Sequence, residues 1–301
     1  MTTWQQSARL DVDAEVRDEK RRTWLKISLF YVVALLLTVP LEFLNHHAQG
    51  NGVRVLTVAV MWCPALAAVI TILLFREDIA GLGWRWPSWR HARWALIIPL
   101  LYVLPAYLAI WVLGLGGFYN ADFAATVSRD YGFGSAPASV GLVAYVLLTV
   151  TAGLVLSIAR ALGEELGWRG FLVPHLAKVT SFAGLGLISG LMWTAWHFPS
   201  MLLGEYGSFG TPGWYRVVCF TVMATSLGFI AAWLRLRSGS VWPAALLHGM
   251  HNTIVQSIFT PLTTNTGPTD WYIDEFGAAL AVTTLIGAII AWSKRGDLPA
   301  P

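Results

Sequence analysis

Charge is what this sequence has least of. Asp, Glu, Lys and Arg make up only 12% of its 301 residues, against about 25% in an ordinary soluble domain. Twenty basic and 17 acidic side chains cannot solvate a globule of this length, and a hydrophobic content of 56% excludes intrinsic disorder as well. The formal net charge of +3 is too small to imply a nucleic-acid partner. Cysteine is nearly absent. Cys63 and Cys219 both lie in apolar stretches, which excludes a disulfide framework and a thiolate metal site. Also missing are an HExxH helix, a GxSG or GxSxG serine turn, a GxGD aspartyl pair and a GxxxxGK[ST] phosphate loop, so an ATP-driven pump is not suggested. The polar first 22 residues lack the pattern of a secretory signal, and the C-terminal DLPAP has no cysteine to be prenylated.

Long hydrophobic runs are what it does have. Intervals without charge occur at 55–75, 94–121, 131–159, 179–204, 217–234, 238–269 and 276–293. An eighth run, 27–44, contains only Glu42, expected at the headgroup level behind a bend at Pro40. Runs of about 20 residues fit helices that cross a bilayer and are too long for buried strands. The fold class expected is an all-α polytopic membrane protein with about eight transmembrane helices, both termini on one side. Seventeen of the 20 basic residues fall in alternate connecting segments, and only Arg54, Arg129 and Arg216 in the others. By the positive-inside rule the first set, with both termini, is cytoplasmic, which makes this a multi-pass protein of the cytoplasmic membrane. The chain divides into a cytoplasmic tail (1–23), three N-terminal helices (24–138), a four-helix core (139–262), and a last helix with a short tail (263–301). The loop 76–94, dense in Arg and Trp, reads as an interfacial anchor on the lipid bilayer.

Ionisable groups inside spans cost about 2.5–3.5 kcal/mol each on insertion scales, so three clusters require a reason. Glu164, Glu165 and Arg169 close the fourth span if it ends near residue 159. Read alone, they are a charged helix terminus with i,i+4 pairing. His197 lies in the fifth run, one turn after Trp193. His248 and Asn252 share one helix face in the seventh, whereas His251 points elsewhere. Each of these could be structural glue.

Together they form a set able to hydrolyse a peptide bond. A glutamate near a histidine can take a proton from water, and a second histidine and an amide can donate to an oxyanion. The same Glu164, His197 and His248 could instead hold a divalent metal such as zinc with an open position. Asn252 tilts the choice toward the first, being a poor zinc ligand and a good donor. A proton- or ion-coupled transporter using Glu164, His197 and His248 as a relay is the alternative from another class. Against it, the chain shows none of the internal symmetry of many transporters. A non-enzymatic, immunity-type membrane protein is the third reading.

The three clusters resemble a known family. Glu164-Glu165-x-x-x-Arg169, followed by an RGxLxPxL-like run to Leu176, Trp193-x-x-x-His197, and His248-x-x-x-Asn252 behind Trp242-Pro243 are similar, in order and in placement, to the motifs of the CPBP intramembrane proteases. That family includes the type II CaaX prenyl endopeptidases and bacteriocin-processing relatives. The matched core runs from about 140 to 262. The resemblance implies a membrane-embedded endopeptidase acting on a membrane-associated peptide or protein, prenylated or not. In it Glu164 and His197 would activate water, and His248 and Asn252 would stabilise the oxyanion or, on a metalloendopeptidase view, help bind metal. Glu165 and Arg169 would shape a site that opens to the cytoplasm. One geometric demand follows. At 1.5 Å per residue His197 lies about 22 Å along a helix from Phe182, far from a Glu164 at the cytoplasmic end. Their meeting would require tilt, a later helix start or a deep aqueous cavity.

Overall fold

The computed structural model describes residues 3–204, 206 and 210–299, with side chains from residue 14 onward. The outermost two residues of each expected tail lie outside the described residues. Helix dominates, as the apolar runs lead one to expect, because in lipid each backbone polar group must be satisfied within its own segment. The elements are α1 (Thr3–His47), α2 (Asn51–Phe75), α3 (Trp89–Val112), the short α4 (Ala121–Asp130), α5 (Ala138–Ala177), α6 (Phe182–Trp196), α7 (Phe198–Leu203), α8 (Gly213–Ser238), α9 (242–262) and α10 (Ala278–Ser293). A two-residue ladder, Gly117–Phe118 with Thr263–Thr264, ties the loop after α3 to the end of α9.

Six of these helices are long and apolar enough to cross a membrane: those at 14–47, 51–75, 89–112, 138–177, 213–238 and 278–297. The other two expected crossings differ for a reason. With 15 residues α6 is short, and α9 carries His248, His251, Asn252 and Gln256, which lower its hydropathy. Both pack within the bundle, α6 against α8, and α9 against α5 and α3, with Leu187 and Leu191 of α6 left exposed.

The N-terminal tail is helical and continuous with the first span, and Pro40 is accommodated inside α1. Glu42, five residues before the end of α1, is buried among the helices at 6% exposure rather than facing solvent. The larger correction concerns the fourth span. It does not end near 159 but runs unbroken to Ala177, through π-helical turns at Thr149–Gly153 and Leu166–Leu172. Glu164 therefore stands about 20 Å from the end of its helix, and His197 about 22 Å from the start of α6. The two are level, and the demand for a tilted or displaced fifth helix disappears. Arg169, counted above among the cytoplasmic residues, is fully buried within α5.

Aromatic packing fixes α5 in the bundle. Trp168 is fully buried and meets Phe30 of α1 edge-on at 5.5 Å and Trp196 of α6 at 6.0 Å. Toward the basic end, Glu77 accepts from Lys26 and lies 3.1 Å from His175 Nε2. Burial alone would raise its pKa, but these two partners outweigh it and hold the carboxyl below its usual range. Arg235 of α8 donates to the Arg169 carbonyl and the Gly81 carbonyl, both at 3.0 Å, pinning the loop between α2 and α3 under α5. Trp84, Trp86, Trp89 and Trp94 of that region are exposed.

Helices approach where side chains are missing. A Cβ on Gly167 would lie 2.5 Å from the Pro64 side chain and 2.7 Å from its carbonyl oxygen, and one on Gly249 would lie 2.7 Å from the Ile158 Cα. Backbone cannot give way as a flexible side chain can, so Gly167→Ala and Gly249→Ala are each expected to destabilise by about 1–3 kcal/mol. Gly81→Ala, which meets nothing within 4 Å, is expected to leave the melting temperature in detergent unchanged. Equal melting of all three variants would contradict this packing.

Candidate active site

A cavity of about 240 Å³ lies between the helices, and Glu164 of α5, His197, and His248 and Asn252 of α9 all line it. The four residues singled out as catalytic candidates are therefore on one wall system despite coming from three helices. The local reasons are legible. Pro199 stands at the start of α7 and cannot donate a helical hydrogen bond, so the chain breaks at His197, which caps α6. The break leaves the His197 side chain in the cavity, with Nδ1 2.9 Å from the Trp193 carbonyl. A ring nitrogen facing a carbonyl must carry the proton, so Nε2 is the free basic nitrogen.

Adjacent positions on a helix point about 100° apart, and Glu164 and Glu165 consequently meet different surroundings. Glu164 is buried and its Oε2 accepts from the Trp193 indole at 2.8 Å. Glu165 turns inward, and one oxygen, Oε1, accepts from both Arg169 Nη1 at 2.8 Å and His248 Nδ1 at 2.9 Å. The Arg169 guanidinium is stacked over the Trp193 ring at 4.4 Å. Glu165 and Arg169 are thus brought to the back of the site rather than into the cavity. Glu165 Oε2 and Arg169 Nε and Nη2 are buried without hydrogen-bond partners among the described residues.

Several lining groups went unrecognised in the sequence. His251 bonds Tyr102 Oη at 2.9 Å through Nδ1 and Glu275 at 3.0 Å through Nε2. Glu275 comes from the loop before α10, is buried, and also accepts from Gln256 at 3.1 Å and from the Tyr206 hydroxyl. Burial would raise its pKa, but these donors outweigh burial and keep the carboxyl below its usual range. Its neighbour Asp274 is pushed up to about 7, chiefly by burial, with Glu275 and Asp270 adding to the effect. Tyr206 in turn packs on the His197 ring at 5.7 Å. No spacing rule links residue 275 to residues 197 or 251. His251 alone carried a signal, as an ionisable residue inside an apolar run. Glu42 and Asn45 complete the wall from α1, with Thr57, Val60 and Met61 from α2. These belong to the end of the bundle remote from Lys26, Glu77 and Arg235. The ground for a cytoplasmic opening, a Glu164 at the end of its span, is thereby removed.

Among the described residues no three His, Cys, Asp or Glu side chains are disposed to hold a metal ion. Glu164, His197 and His248 do not form such a group. The metalloendopeptidase reading has no support.

Comparison with known proteins bears on the same part of the chain. Residues 145–254 match the model of the family described as type II CAAX prenyl endopeptidase Rce1-like. The chain is also 30% identical over 103 residues to CAAX prenyl protease 2 of Methanococcus maripaludis, an alignment covering 33% of this chain and 38% of that protein. The matched segment contains Glu164, Glu165, Arg169, His197, His248 and Asn252, so the similarity to the Rce1-like type II CAAX prenyl endopeptidases falls on the part of the chain that builds the cavity.

Proposed function

We propose that this protein is an intramembrane endopeptidase that hydrolyses a peptide bond in a membrane-associated protein substrate, of the CaaX type that the relative's name indicates or of another. The observation that carries this reading is the convergence of Glu164, His197, His248 and Asn252 on one cavity within the matched segment.

The geometry supports a division of labour. Water held between the Glu164 carboxylate and His197 Nε2 loses its proton to Glu164 as its oxygen bonds to the substrate carbonyl carbon. The oxyanion that forms receives hydrogen bonds from the Asn252 amide and from His248 Nε2. With Nδ1–H on Glu165, a second proton on Nε2 makes an imidazolium balanced by that carboxylate, and such charged donors count most where water is excluded. Collapse of the intermediate breaks the C–N bond, and the proton held by Glu164 passes to the departing amine. Trp193 orients Glu164, and Glu165 and Arg169 orient His248. The basic loops support a place in the cytoplasmic membrane with the N-terminus inside.

Four outcomes are expected. Glu164→Gln keeps an acceptor for the Trp193 indole, so it should lower turnover by at least about 10²-fold with an unchanged melting temperature. His197→Ala should do the same. Wild-type turnover in the Glu164→Gln protein would refute the mechanism. Glu165→Gln should instead retain partial activity but melt lower, because it leaves Arg169 buried without its counter-charge, a loss of about 3–5 kcal/mol in comparable pairs. With the N-terminus inside, the cavity rim at Thr57 faces outward. A Thr57→Cys protein should then react with a membrane-impermeant maleimide added to intact cells. Labelling only in inside-out vesicles would restore a cytoplasmic opening.

A further inference from the structure

Two of the ionisable reacting groups have an orienting partner on another stretch of chain. The Trp193 indole donates to Glu164, and Glu165 accepts from His248. His197 has instead the Trp193 carbonyl, one turn back on its own helix. A single hydrogen bond fixes one nitrogen and leaves the ring plane free to turn about it, so packing must hold the ring. Trp193, Trp196 and Phe220 meet it at steep angles of 66°, 83° and 71°. Tyr206 is oriented closer to parallel, at 30° with centroids 5.7 Å apart, a separation within the offset-stacked range.

Tyr206 stands between α7 and α8, and the loop before α10 holds it at two points. Phe276 meets its ring at 5.0 Å, and its hydroxyl donates to Glu275 Oε2. Asp274 Oδ1 accepts from the Phe276 amide at 2.7 Å, which braces the same loop. Glu275 Oε1 lies 3.0 Å from His251 Nε2, and the Gln256 amide reaches both carboxylate oxygens at 3.1 and 3.2 Å. Every one of these partners is a donor, so only an acceptor suits position 275; a Gln there would set an N–H₂ against a donor. With its proton on Nε2, a neutral His251 accepts the Tyr102 hydroxyl through Nδ1. Tyr102, His251, Glu275 and Tyr206 thus form a buried network with each link satisfied, and such networks rigidify the groups they join. Glu275 and Tyr206 line the cavity with His197, although Glu275 falls outside the matched residues 145–254.

Resting on the endopeptidase reading, we propose that Glu275 is a positioning residue for His197: it anchors the Tyr206 hydroxyl, and the anchored ring holds His197 with Nε2 toward the water beside Glu164. The loop before α10 then belongs to the catalytic apparatus while contributing no reacting group. The coupling runs through Tyr206, so it is lost with the hydroxyl even when the carboxylate remains. Misplacing a reacting group by 1 Å costs up to about 10²-fold in rate, and a ring freed at one face loses part of that.

The test reads the His197 ring and turnover separately. The chain has seven histidines, few enough for histidine-selective ¹⁵N labelling of the full-length protein in nanodiscs, with His197→Ala identifying the His197 signals. A ring fixed on the Trp193 carbonyl shows two widely separated nitrogen shifts, and tautomer exchange in a released ring draws them together. Tyr206→Phe, which keeps the aromatic ring and removes the hydroxyl alone, is expected to draw the His197 shifts together, as is Glu275→Ala. The His248 signals should stay in place in both. Turnover is followed with an internally quenched CaaX peptide, prenylated and unprenylated. Each substitution should lower kcat about tenfold with KM within about twofold. The double variant should fall no more than about twofold below the lower single, because both act through one link. Unmoved His197 shifts with unchanged kcat in Tyr206→Phe would overturn the proposal. So would a Glu275→Ala effect that persists in full in the Tyr206→Phe background, which would make the carboxylate act directly, or a loss confined to KM. Because Tyr206→Phe leaves the buried carboxylate and its other donors intact, a folding defect in Glu275→Ala would not obscure the answer. His197 shifts that respond in a protein cleaving neither peptide would sink the endopeptidase reading and leave the positioning of the ring standing. Cleavage indifferent to both substitutions would sink the positioning alone.

Discussion

The buried contact on which the rest of the site depends is the single oxygen of Glu165 shared by Arg169 and His248. It joins α5 to α9 across the interior, and it does so with charge in a place where charge is costly. A pair of this kind contributes little net stability, because desolvation offsets attraction. What it contributes is register. With a full guanidinium charge and a carboxylate locked one turn apart on α5, His248 has one position in which its Nδ1–H is satisfied. That position leaves Nε2 as the ring nitrogen open to a ligand. Trp193 is held in the same assembly, its ring under the Arg169 guanidinium and its indole N–H on Glu164. The orientation of Glu164 is thus set indirectly by its neighbour's partner.

That arrangement is possible only because α5 is long. Forty residues of helix exceed a bilayer crossing by a wide margin, and the two halves do different things. The first presents apolar side chains outward, while the second, from Ala161 to Val173, is buried throughout. The Leu166–Leu172 π-helical turn sits between Glu165 and the packed end of the helix, and such turns recur at functional sites. Glycines at 163 and 167 let α2 approach the same stretch closely enough that a Cβ at either position would touch its backbone. Close approach, aromatic packing at Trp168 and the buried charges are therefore properties of one dozen residues.

Much of this was legible before any coordinates. The apolar runs located the helices, since lipid tolerates few alternatives, and the cost of ionisable groups in those runs pointed at Glu164, His197, His248 and Asn252. What misled was the use of charge to mark the end of a span. Arg160, Glu164, Glu165 and Arg169 look like a helix terminus in sequence, because pairing inside a bundle and solvation at a surface leave the same signature. The same ambiguity applies to Glu42, which is buried among the helices. Glu275 and Tyr206 were illegible for a different reason. They arrive from loops, where charge and hydroxyl groups are expected in water, and only the folding back of those loops buries them against His251 and His197. Periodicity carries information about helix faces and none about which loop covers a cavity.

The two adjacent glutamates show why residue type alone cannot assign a role. Glu164 and Glu165 have the same chemistry and neighbouring positions, yet one faces a cavity with a single neutral donor and the other faces a guanidinium and an imidazole. A carboxylate committed to two strong donors has little basicity left to offer a water molecule. One held by an indole through a single oxygen keeps its second oxygen available. A proton acceptor must also be able to give the proton up again, which favours the carboxylate whose environment changes least between its two states. Rotation by one residue along α5 would exchange these environments. The division between a reacting carboxylate and an orienting one is therefore a property of helix phase, fixed by the packing of Trp168 and Gly167 one turn further along the same helix.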